Sequence, residues 1–145
     1  MIDPATKDLL HQIIRRESRS LYQYVREVPT WVGTNDRAVL AQLREMARAE
    51  ERVVDALGRY LQKAKAELAV VGPYPSSFTP LNDAALKHVL PMVIREQKQA
   101  LAQLESDLPR INDPQSTAYL IQLLELKKKH VPQLESLTTH PYVLV

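Results

Sequence analysis

The stretch LELKKKHVPQLE, Leu124 to Glu135, places Lys127 and His130 where a buried helix face is normally built of leucine. Leu120, Leu123, Leu124, Val131, Leu134 and Leu137 recur at the three- and four-residue spacing of one helical face. Lys127 and His130 stand three residues apart between them and point the same way. An ammonium aimed inward has to meet compensating groups on other helices, because a buried unpaired charge is costly.

The same periodicity, read outward from this stretch, predicts four helices. Asp3 caps the first, with Pro4 at its first position, and Leu10, Ile13, Ile14, Leu21, Tyr24 and Val28 form its stripe up to Pro29. Asn35 is the expected cap of the second, whose stripe of Leu40, Leu43, Met46, Val53, Leu57, Tyr60, Leu61 and Leu68 runs to about Val71, before Gly72. Asn82 is expected to cap the third, which carries Val89, Met92, Val93, Ala100, Leu104 and Leu108 to Pro109. Asp113 before Pro114 repeats the opening signal for the fourth. Pro91 and Pro132 fall inside predicted helices, where each removes a backbone hydrogen bond. No alternation is long enough for a strand.

The loops PTWVGTN, residues 29–35, and PRIND, residues 109–113, are short enough to join antiparallel neighbours. The link from Gly72 to Leu81 contains three prolines and can span the length of a bundle as a crossover. The expected architecture is therefore a single all-α domain over residues 1–145, an antiparallel four-helix bundle with a crossover between helices two and three. Trp31 and the tail residues Tyr142, Val143 and Leu144 are expected to cover a bundle end or an oligomer contact.

Composition narrows the function classes. The chain has no cysteine, which excludes disulfides, thiolate ligands and a cysteine nucleophile and suits a reducing cytoplasm. Nineteen basic and 17 acidic residues are interspersed, and the run Lys127–Lys129 is too short to argue for nucleic acid. No apolar run approaches the roughly 18 residues of a membrane span. Only three glycines are present, with no phosphate-cradling loop and no Gly-x-Ser-x-Gly.

Three further polar residues interrupt apolar stripes: Glu17 between Ile13 and Leu21, Glu50 between Met46 and Val53, and Glu96 between Val93 and Ala100. Counted from the caps, these and the Lys127/His130 pair lie at similar depths, about 20–25 Å along their helices at 1.5 Å per residue. Antiparallel packing brings them to one level. Tyr24, Tyr60 and Tyr119 read as core aromatics with a polar tip.

One inward glutamate on each of two helices, with Glu-x-x-His on each of the other two, is the di-iron pattern of ferritin-like bundles, and the chain resembles that superfamily over nearly its whole length. Glu17 in RRESRSLYQY and Glu96 in IREQKQAL match the single glutamates. Glu50 in ARAEERVVDAL matches one motif glutamate, with Val53 at its histidine position. His130 matches the other motif histidine, with Lys127 at its glutamate position. The resemblance thus implies a degenerate metal site of Glu17, Glu50, Glu96 and His130, in which the lysine charge substitutes for metal. The expected function is that of a non-catalytic helical bundle without a cofactor, acting as a homo-oligomer, a dimer by the symmetric prior, or as a partner module. The alternative is a redox or ligand-binding protein that holds a single iron or other divalent metal on the remaining glutamates and histidine.

Overall fold

The computed structural model describes residues 1–28, 36–67, 69–82 and 84–143, the side chains of 139–143 excepted. The described residues form helices and no strand: α1 (Pro4–Ser18), α2 (Leu21–Glu27), α3 (Arg37–Lys63), α4 (Leu86–Asp107) and α5 (Pro114–Val143), with short 3-10 turns at Ser76–Leu81 and Leu108–Arg110. Trp31, Asn35, Leu68, Leu144 and the side chains of Tyr142 and Val143 lie outside the described residues.

Both Asp-Pro signals start helices as expected. Asp3 accepts the Thr6 N–H at 2.9 Å, and Asp113 accepts the Ser116 N–H at 3.0 Å. The two starts are tied together, because the Thr6 hydroxyl accepts the Asn112 N–H at 3.2 Å. Tyr60, near the end of α3, donates its hydroxyl to Asp113 at 2.9 Å. Asp113 thus serves a cap and a cross-helix bond at once. Asp113→Ala is expected to lower unfolding free energy by about 0.5–2 kcal/mol, read from the midpoint of a urea melt.

Three boundaries differ from the sequence reading, each for a local reason. The first helix is two helices: α1 stops at Ser18, and Ser20 begins α2 by accepting the Gln23 N–H at 3.2 Å. The second predicted helix ends at Lys63, not Val71. Lys65 takes a left-handed φ of 61°, and the bonds Ala66 N–H to Leu61 C=O and Lys65 N–H to Gln62 C=O close a Schellman motif without glycine. The third begins at Leu86, and Asn82 does not cap it. The Asn82 side chain instead accepts the Tyr24 hydroxyl, while the preceding turn of 3-10 helix contains Pro80. Pro91 and Pro132 do lie inside α4 and α5.

The core has two apolar clusters. One joins α2 to Val39–Ala47 of α3, Leu86–Ile94 of α4 and Leu134 and Leu137 of α5. The other joins Leu9–Ile14 of α1 to Val53–Leu61 of α3, Leu104 of α4 and Leu120–Leu124 of α5. The α3–α4 connection contributes to both: Ala66, Ala69 and Val71 pack on the second cluster, and Tyr74, Phe78, Leu81 and Ala84 on the first. Tyr24 anchors this segment, its ring 5.1 Å from that of Tyr74 and 5.4 Å from that of Phe78, and the Arg19 guanidinium lies 4.7 Å from the Tyr74 centroid. In every long helix the polar interruption falls between the two apolar sets, so a polar layer separates them.

Candidate functional site

Lys127 is the centre of that layer. Its side chain is fully buried, and its Nζ lies 2.7 Å from Glu17 Oε1, 2.7 Å from Glu50 Oε1 and 2.6 Å from Gln97 Oε1. An ammonium has three N–H donors. Two are donated to Glu50 on α3 and Gln97 on α4, and Glu17 on α1 lies against the ammonium as an ion pair. His130, one turn further along α5, places Nδ1 2.6 Å from the second oxygen of Glu50. That separation requires a proton between the two atoms, so the imidazole donates to the carboxylate. Glu50 therefore bridges both polar residues of α5.

Burial alone would favour the neutral amine of Lys127. The charges of Glu17 and Glu50 and their hydrogen bonds outweigh it and hold the pKa above the ordinary lysine value. The lysine is thus a cation paired with two carboxylates. Tyr22 sits next to them on α2, and burial, then the charge of Glu50, pushes its phenol pKa up. Glu17 Oε2 has no hydrogen-bond partner among the described residues. Arg16 stands at the edge of the layer, with Nε 3.8 Å from Glu17 Oε2 and Nη1 3.2 Å from the buried Asp107.

Glu17, Glu50, Lys127 and His130 meet as the stripes predict. Glu96 takes a different place. It is only half-buried, and its carboxylate accepts the Leu21 N–H at 2.8 Å and the Tyr22 N–H at 3.2 Å. It caps α2 across the break between α1 and α2. Burial raises its pKa, and the two backbone bonds and a bond from Gln97 oppose that rise. The α4 residue that reaches Lys127 is its neighbour Gln97. Gln97 falls on the line Val93, Gln97, Ala100, Leu104, which was visible in the sequence. Tyr22 and Arg16 carry no comparable signal. Val53 packs with the apolar residues of the α1-side cluster.

The donor set does not match a di-iron centre. Two metal ions need bridging carboxylates from two helices, and the point where three oxygens converge is held by an ammonium, which cannot ligate. Among the described residues no group of three or more His, Cys, Asp or Glu is arranged to hold a metal ion. No described helix is long and apolar enough to cross a membrane. In comparison with known proteins, no family model matches the chain, and neither does any curated protein or solved structure.

Proposed function

We propose that the chain is a ferritin-like four-helix bundle whose metal layer has become an ammonium-centred ionic lock. In this reading α1 and α2 together form the first helix, and the α3–α4 connection is the crossover. One observation carries the proposal: the fully buried Lys127 Nζ is surrounded by oxygens from three helices at 2.6–2.7 Å. A lysine in that position supplies one positive charge to a layer that metal would otherwise neutralise. The layer then offers no open ligand position for substrate or dioxygen. Activity falls to the surface, and the protein acts as a non-catalytic homo-oligomer, a dimer by the symmetric prior, or as a partner module. The absence of cysteine suits the cytoplasm.

Metal content tests the reading. Protein purified after growth with added iron and manganese is expected to carry far less than one equivalent of either by elemental analysis. One or two equivalents, retained through gel filtration and lost in Glu50→Ala, would establish the alternative of a metal-binding redox protein on Glu17, Glu50 and His130. Light scattering of the same sample reads the oligomeric state.

A further inference from the structure

The geometry points to a binding cradle specific for a primary alkylammonium ion, filled in the native protein by the protein's own lysine. The inference rests on the ionic-lock reading and extends it to ligand class. Three features of the layer define the class. The acceptors are all oxygens, two from carboxylates and one from an amide, at 2.6–2.7 Å from one point. Those are charge-assisted N–H···O separations. They exceed the roughly 2.0–2.2 Å bonds of magnesium or of zinc to oxygen. The oxygens lie on three different helices, two accepting hydrogen bonds from the ammonium and the third, of Glu17, pairing with its charge. The lysine stem is itself fully buried, so the space behind the head holds an alkyl chain.

Truncation at Cβ turns this arrangement into a receptor. Lys127→Ala removes three methylene carbons and the nitrogen, the outline of n-propylammonium. Of the cradle residues, Glu17 reaches the surface pockets next to the layer. Glu17 lines a pocket of about 230 Å³ toward α3 and another of about 210 Å³ toward α4, on either side of the α1–α2 break. A small amine entering there meets the first carboxylate of the cradle.

The test is a thermal and urea denaturation series on Lys127→Ala, with amines added as chloride salts against sodium chloride at equal ionic strength. Stabilisation is expected to rise from methylammonium to ethylammonium to n-propylammonium, with about a fourfold gain in affinity per methylene, and to fall at n-butylammonium. Propyltrimethylammonium has the same charge without N–H groups and is expected to give no more than the salt control. Potassium and manganese are likewise expected to match their salt controls. In Lys127→Met the space of the stem is filled, and no amine should stabilise it. If Lys127→Ala is unfolded alone, the readout is recovery of helical circular dichroism with n-propylammonium. Failure of n-propylammonium to exceed the salt control, equal stabilisation by the trimethyl analogue, or equal rescue of Lys127→Met would each overturn the cradle. None of these outcomes depends on the metal content of the native protein, so the cradle and the ionic lock can fail separately.

Discussion

Lys127→Met is expected to lower the unfolding free energy by about 3–5 kcal/mol at neutral pH, the cost typical of removing one partner from a buried ion pair. Methionine replaces most of the stem volume, so the loss isolates the charge rather than a cavity. What remains behind is a buried pair of carboxylates, Glu17 and Glu50, and the amide oxygen of Gln97, all within 2.7 Å of a nitrogen that is gone. His130 still donates to Glu50, which leaves Glu17, among the described residues, with the more distant Arg16 at 3.8 Å. The alkaline limb gives an independent sign. The folded-state pKa of Lys127 lies above the unfolded value of 10.5. Its stabilisation is therefore complete below that value and is lost as pH rises through the folded-state pKa. Wild type should lose stability over that range, and the methionine variant should lack this component. Urea melts across alkaline pH read this limb. A methionine variant as stable as wild type at neutral pH would show that the cluster is not an ionic lock.

Much of this arrangement was legible because depth along a helix is a count of residues. From Pro4 to Glu17, from Arg37 to Glu50 and from Pro114 to Lys127 the separation is 13 residues in each case, by subtraction of the residue numbers. Equal rise per residue then places the three side chains at a common level once the helices pack side by side. The Asp-Pro starts were legible for the same local reason. What escaped was decided by competition between neighbours. Ser20-Leu21-Tyr22-Gln23 has the spacing of a capping box, but the apolar stripe runs through it from Ile14 to Leu21. The Ser20 cap and the Glu96 carboxylate together satisfy the N–H groups freed by the break. Glu96 and Gln97 are adjacent and both fit the stripe. The neutral amide tolerates complete burial, whereas the carboxylate turns to backbone donors at the α2 start. The end of α3 was misplaced because a left-handed C-terminal residue is usually glycine, and here it is Lys65.

Reversing the two departures from the ferritin-like pattern should convert the lock into a metal site. In Lys127→Glu with Val53→His, three carboxylates converge where two carboxylates and an ammonium stood. The metal-free variant is therefore expected to lose at least the 3–5 kcal/mol of Lys127→Met, since like charges in a buried site oppose one another. The new imidazole lies one turn from Glu50, at a position that is 6% exposed and so shielded from water. Manganese or ferrous iron is expected to restore stability, by about 4 kcal/mol at a free concentration a thousand times Kd. The structure adds a condition that the sequence pattern does not contain. Glu96 is engaged with the Leu21 and Tyr22 N–H groups, so it is not free to complete the ligand set. Gln97 is the α4 side chain that already faces the layer. Adding Gln97→Glu should therefore raise the stoichiometry from one metal to two, as measured by elemental analysis after gel filtration, while Glu96→Gln in the double variant should leave metal binding unchanged. If the double variant binds no metal, the layer is not descended from a metal-binding geometry, and the lock is an independent solution to burying a lysine among four helices.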